Sequence, residues 1–241
     1  MKLHTYEKGN GEPIVFLHTG LETGITDFEE QQKAFEKDFR VIAPDLRGHG
    51  KSYTEDFDHF FEDSADDLKE TLDGLGLKEV HVVGCSLGAL VGLFFTRKYP
   101  SYVQSLSVSG LMPGKPHNWE EMHGEDSAMQ SQLLNNEELC AQLDEKHQSD
   151  WRTIIHMAQD GSWYPFEETK NLGDIDVPIL FMVGERNLHE VKGAALYPEQ
   201  SDRVRVAVLP FAAHLVHDEQ PELYSTILRQ FLEEVGAYER V

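Results

Sequence analysis

The sequence predicts an α/β fold: a mostly parallel central sheet flanked by helices, with a helical cap inserted at one end of the sheet. Three observations predict it. Strand patterns alternate with helix patterns along most of the chain, which calls for crossover connections and therefore parallel neighbours. Several strand patterns are β-branched and apolar at nearly every position, as strands covered on both faces must be. One stretch, Met112 to about Asp176, breaks the rhythm; it is polar and acidic and has no strand pattern. A structureless loop of that length is improbable, so it reads as helical.

Taken in order, strands are expected at 2–7, 13–18, 40–44, 79–84, 103–109, 178–184 and 203–209. Several are β-branched and end in Gly, Pro or Asp, as buried strands should. The turn Lys8-Gly9-Asn10-Gly11 predicts that the first strand pairs antiparallel. Helix patterns fall between the strands. Thr26-Asp27-Phe28-Glu29 reads as an N-cap with a capping-box carboxylate. A second helix follows Asp63-Ser64 and runs to Leu75, and a third begins at Ser86 and ends before Pro100. The last starts near Pro221 and reaches Val235, where Gly236 should stop it. The cap is placed at 112–172, which leaves 1–111 and 173–241 as the core.

Composition narrows the function classes. Apolar residues are 40% and charged residues 27% of the 241, a globular balance that excludes disorder as the main state. Asp and Glu number 43 against 21 Lys and Arg, a formal charge of −22. Such a surface repels phosphate backbones and anionic membranes, so neither nucleic acid nor a membrane is an expected partner. Two cysteines make no disulfide framework. The first residues carry no apolar signal-peptide core, and the expected location is cytoplasmic. The longest apolar run, Leu87 to Phe95, is too short to span a membrane.

The strongest chemical signal is Val82-Val83-Gly84-Cys85-Ser86-Leu87-Gly88. A β-branched strand enters Gly-x-Ser-x-Gly and leaves as a helix, the setting of a nucleophile elbow. The glycines remove side chains that would clash in so tight a turn. Ser86 is then exposed at the strand end, over a helix N-terminus whose first N–H, on Leu87, can face a developing oxyanion. Cys85 should point away from the pocket and pack as a thiol. Thr19-Gly20-Leu21-Glu22-Thr23-Gly24 could suggest dinucleotide binding, but the last glycine of that pattern is missing and no Tyr-x-x-x-Lys occurs. No cofactor and no metal are expected.

Together with Asp45-Leu46-Arg47-Gly48-His49-Gly50-Lys51-Ser52, read as a turn held by an Arg47–Asp45 pair, these motifs resemble the α/β-hydrolase superfamily. The resemblance covers the core, and in the cap only the location. It implies a serine enzyme acting on a carboxylic ester, thioester or lactone of a small molecule through an acyl-Ser86 intermediate. His18-Thr19-Gly20 stands where the superfamily has His-Gly, with Thr19 a departure, and Gly20 would supply the second oxyanion N–H beside Leu87. Ala212-Ala213-His214, followed by Glu219-Gln220-Pro221, resembles the catalytic-histidine loop and makes His214 the general base; His217 is the competitor. The acid slot after Val183-Gly184-Glu185-Arg186 holds Asn187, which can orient His214 but not stabilise its charge. Glu190 or Glu185 could substitute, or the site could bind without efficient turnover. Acyl transfer and C–C bond hydrolysis stay open on the same scaffold. Aromatic residues of the cap, Trp119, Trp151, Trp163, Tyr164 and Phe166, could line a substrate pocket or pack the cap onto the core. Oligomeric state is not legible.

Overall fold

The computed structural model describes residues 1–238; residues 239–241, the end of the expected core segment, lie outside the described residues. The elements run β1 (Thr5–Lys8), β2 (Glu12–Leu17), α1 (Glu29–Phe35), β3 (Phe39–Pro44), α2 (Phe60–Gly74), β4 (Val80–Cys85), α3 (Leu87–Lys98) and β5 (Val103–Ser109). Four helices follow, α4 (Trp119–Leu134), α5 (Glu137–Lys146), α6 (Arg152–Ala158) and α7 (Phe166–Thr169). Then come β6 (Ile179–Gly184), α8 (Gly193–Gln200), β7 (Val204–Leu209), α9 (Val216–Glu219) and α10 (Pro221–Tyr238).

The seven strands form one sheet in the order β1-β3-β2-β4-β5-β6-β7. Every neighbouring pair is parallel except β1 with β3. The alternation of side chains along each strand divides the core into two layers. Val15, Leu17, Val82, Phe181 and Val183 face a cluster with Leu68 and Leu72 of α2 and Leu90 and Phe95 of α3. Ile14, Phe16, Val83, Cys85, Leu180 and Met182 face the other way, against Phe35 of α1 and Tyr224, Leu228 and Phe231 of α10. Both faces are therefore dry, and the polar side chains that β4 and β5 carry, His81, Ser105, Ser107 and Ser109, are buried with them.

Local details depart from the sequence expectations. The first strand is antiparallel, but its partner is β3, not the adjacent β2. Gly9 and Gly11 still need their positive φ, because a Cβ on either would strike the backbone near Glu36 to Phe39. α2 begins at Phe60, ahead of Asp63. α10 passes through Gly236 to Tyr238; a glycine weakens a helix interior but does not by itself end one. Thr26 and Glu29 form no capping box. The residue before α1 is Phe28, in the left-handed region at φ 54°, and no side chain caps the helix. Thr26 bonds to Glu22 and Thr23, and Asp27 has another use, described below. Arg47 pairs with Asp67 at 2.8 Å, not with Asp45. The Asp45 carboxylate instead accepts the N–H groups of Gly24 and Lys51.

Candidate active site

The site is built where β2, β4, β5, β6 and β7 end, the edge at which open parallel sheets take ligands. β4 runs into Ser86, which has φ 54° and ψ −118°. That conformation is strained for a residue with a Cβ. It is held because Ser86 N–H donates to Ser109 O at 2.9 Å and because both flanking glycines are required. A Cβ on Gly84 would lie 2.5 Å from Gly88 O, and one on Gly88 only 2.1 Å from Leu17 O. The bare Gly88 lets the first turn of α3 close on the end of β2, next to the His18–Gly20 loop. Among the described residues, neither Gly20 N–H nor Leu87 N–H donates a hydrogen bond within the chain.

His214 leaves β7 and faces Ser86 across Gly110. A Cβ on Gly110 would sit 2.9 Å from Ser86 N and 3.0 Å from His214 Cε1, so only glycine allows this approach. No hydrogen bond joins Ser86 Oγ to His214 in this structure; such contacts are often open in the absence of substrate. The other side of the imidazole is firmly held. His214 Nδ1–H donates to Glu190 Oε1 at 2.6 Å, from a carboxylate only 4% exposed. Burial pulls the His214 pKa down, but the hydrogen bond and charge of Glu190 outweigh it and set it above the ordinary 6.5. Glu219 grips the loop on both sides, accepting Ala213 N–H and Leu215 N–H.

Asn187 does not contact His214. Its Oδ1 accepts the N–H groups of His189 and Glu190 at 3.3 Å each. It caps the turn that carries Glu190 inward. Glu185, the other acid near the slot, accepts Phe211 N–H at 2.9 Å and so braces the start of the histidine loop. Of the candidates in sequence, Glu190 alone is brought to the imidazole. His217, the competitor of His214, lies on the opposite side of the loop. It is buried, stacks on Phe28 with ring centroids 4.0 Å apart, and bonds Asp27 Oδ1 at 2.7 Å. The two imidazoles thus belong to different carboxylates, and among the described residues no group of His, Cys, Asp and Glu is placed to hold a metal.

The Asp27–His217 pair had no signal in the sequence beyond the residues themselves. It ties three segments together. Asp27 Oδ2 accepts Thr19 N–H at 2.7 Å, beside Gly20, while His217 O accepts from Gln31 Nε2 at 2.8 Å. The His18–Gly20 loop, α1 and the His214 loop are therefore linked through one buried ion pair. Burial pushes Asp27 up, yet the His217 hydrogen bond and charge overcome this and hold the carboxyl at about 2.

Ser86, His214 and Glu190 open into one cavity of 570 Å³. Its floor includes Leu90 and Gly110; its far wall comes from the segment between β5 and β6, with Trp119, Met122, Met129, Trp163 and Tyr164. The aromatic residues between β5 and β6 divide. Trp119, Trp163 and Tyr164 reach this cavity, whereas Trp151 is fully buried against Leu143 and Ile155, and Phe166 packs on Trp119 and Tyr164 at 4.8 and 4.6 Å.

Comparison with known proteins places this geometry. Residues 12–136, just over half the chain, match the model of a family described as alpha/beta hydrolase fold. Human serine hydrolase BPHL is 37% identical over 115 residues, which cover 46% of this chain and 40% of that protein. The chain thus spans less than half the length of that relative. A putative carbamate hydrolase RutD of Agrobacterium fabrum is 24% identical over 91% of this chain and 93% of its own. Among solved structures, NosK from Streptomyces actuosus superposes with a TM-score of 0.82 at 23% identity, covering 94% of this chain and all of the other. A malate-bound esterase from Thermogutta terrifontis superposes with a TM-score of 0.76, also at 23% identity, covering 97% of this chain and 93% of the other.

Proposed function

For a chain that belongs to the alpha/beta hydrolase fold family, we propose a serine hydrolase that cleaves a carboxylic ester, thioester or lactone of a small molecule. The observation that carries this reading is the convergence on one cavity of a strained, half-buried Ser86 and a His214 whose far nitrogen is bonded to the buried Glu190. Nδ1 carries the proton toward Glu190, so Nε2 is left as the base. Ser86 Oγ attacks the substrate carbonyl while His214 takes its proton. The oxyanion that forms lies between the N–H groups of Gly20 and Leu87. His214 then gives the proton to the departing alcohol or thiol, leaving an acyl-Ser86 ester. Water, deprotonated by the same imidazole, attacks that ester, and His214 returns the proton to Ser86 Oγ as the acid departs.

Glu190 is the acid of this scheme, and Asn187 is a positioning residue that shapes its turn. The alternative of a protein that binds without turnover drew on Asn187, which brings no charge to the base. The Glu190 pairing supplies that charge and favours catalysis. We read the helices between β5 and β6 as a cap, and the apolar walls of the cavity as suited to an uncharged acyl group. Among the described residues no helix is long and apolar enough to cross a membrane.

The test is intact mass after treatment with a fluorophosphonate, with Ser86→Ala as control, alongside hydrolysis of para-nitrophenyl butanoate. One adduct and saturable turnover are expected, both absent in the variant. Turnover that survives Ser86→Ala, or folded protein that takes up no probe, overturns the reading.

A further inference from the structure

A second cavity of 220 Å³ adjoins the first and shares His189 with it. It lies between the Pro113–Pro116 turn after β5 and the beginning of α8, on the same edge of the sheet as Ser86. Its chemistry is opposite to that of the chain as a whole. Acidic side chains outnumber basic ones 43 to 21, yet Lys115, His117, His189 and Lys192 line this cavity and no carboxylate does. The lysines are not neutralised from outside. Among the described residues no carboxylate lies within ion-pair distance of Lys115 or Lys192. The buried Nδ1 of His189, at the junction of the two cavities, has no hydrogen-bond partner. Bringing two unpaired ammonium groups to one concavity costs self-repulsion, which an anionic occupant relieves.

The position indicates which end of a substrate would reach it. His214 delivers its proton to the leaving atom, so the leaving group lies on the His214 side of Ser86. His189 is adjacent in sequence to Glu190, the partner of His214. His189 and Glu190 both line the larger cavity, and His189 continues into the basic one, so a group projecting past the His214–Glu190 pair meets the lysines while the aromatic walls remain for the acyl group.

We propose that the smaller cavity is a subsite for an anionic group, a carboxylate or a phosphate, carried on the alcohol or thiol that departs from the scissile bond, with Lys115 and Lys192 as its charge partners. The proposal rests on the reading of Ser86 as nucleophile. It makes the substrate two-ended, with an apolar acyl group and an anionic leaving group. The chain's overall negative charge does not oppose this at close range, because at physiological salt distant charges are screened within about 8 Å.

The experiment compares three esters of one skeleton, methyl para-butanoyloxybenzoate, para-butanoyloxybenzoate and para-butanoyloxyphenyl phosphate, on the wild type and on a K115Q/K192Q double variant. Both lysines are exposed, so folding is not at risk. The double variant is expected to lose about tenfold in kcat/KM on the anionic esters, mainly through KM, and less than about twofold on the methyl ester. Whichever anion loses more identifies the group preferred. Equal effects on all three esters, or no effect on any, overturn the subsite. Calorimetry of para-hydroxyphenyl phosphate binding to Ser86→Ala, with and without the lysine substitutions, separates the two readings because it needs no chemistry. Lysine-dependent binding without turnover of any ester keeps the subsite and sinks the hydrolase. Turnover of the methyl ester with no lysine dependence does the reverse.

Discussion

Replacing Glu190 by Gln removes, among the described residues, the only carboxylate bonded to His214, while keeping its size. The magnitude follows from the geometry. In the transition state His214 is an imidazolium, and its Nδ1 lies 2.6 Å from Glu190 Oε1. With charge centres about 4 Å apart and an effective dielectric of about 20, the attraction is about 4 kcal/mol. The His214 side chain is 44% exposed, and solvent screening brings the range to about 2–4 kcal/mol. That is roughly 30-fold to 10³-fold in kcat. A comparable Asp→Asn change in a serine protease costs about 10⁴, part of it through the wrong tautomer. Because this interaction grows only as His214 becomes charged, kcat should fall and KM should stay near the wild-type value. The assay is steady-state hydrolysis of para-nitrophenyl butanoate by the wild type, Glu190→Gln, Asn187→Asp and the double variant, with thermal unfolding as the folding control. Asn187→Asp alone should leave kcat within a few-fold. A Glu190→Gln enzyme with kcat within threefold of wild type would refute the acid role, and full rescue by Asn187→Asp would return that role to position 187.

Three further outcomes are expected. Since His214 is held above its ordinary 6.5 and only its neutral form acts as base, kcat/KM should rise with pH along a limb centred above 6.5; in Glu190→Gln residual activity should titrate lower, because burial then acts without the Glu190 charge to oppose it. Gly88→Ala places a Cβ 2.1 Å from Leu17 O, and the forced separation of α3 from β2 should cost about 1–3 kcal/mol, read from urea midpoints, with a larger loss in kcat from the displaced Leu87 N–H. Asp27→Asn leaves His217 buried without its counter-charge, at a cost of about 3–5 kcal/mol. The sign of the pH dependence is defined for that pair. Asp27, lowered to about 2, contributes stability above its unfolded value of 3.8 and loses it as pH falls toward 2. His217, raised by Asp27 and its other neighbours against the pull of burial, contributes below 6.5 and loses it as pH rises through its folded value. Urea unfolding should therefore show the largest Asp27→Asn effect between pH 3.8 and 6.5, and a pH-independent difference would contradict the pairing.

The loops of the proposed site also differ in how openly they announce themselves. The elbow is local: a strand, two glycines and a helix lie within a dozen residues, and the backbone clash that demands those glycines is written in their spacing. The His214 loop is similar, since Glu219 holds it from a few residues away. The acid is different. The pattern after β6 points to position 187, and Glu185, Asn187 and Glu190 all lie on one short loop. Which of them turns inward depends on the direction of that turn: Glu185 and Asn187 accept backbone N–H groups, and Glu190 is left for the imidazole.

The sequence by itself determined the alternation of strands and helices, the two dry faces of the sheet, the elbow at Ser86 and the loops bearing Gly20 and His214. These follow from periodicity and steric exclusion, which act between residues close in the chain. It left open the partner of β1, the role of Thr26-Asp27-Phe28-Glu29 and the pairing of Arg47, because each is settled by a group far away. Asp27 was available for a helix cap; the arrival of His217, 190 residues later, gave its carboxylate a charged partner and made the buried pair the stronger use. Tertiary structure alone likewise brought Lys115 and Lys192 to one concavity. Charge, unlike hydrophobic pattern, has no period along the chain, so where it accumulates is decided only when the strands have been laid side by side.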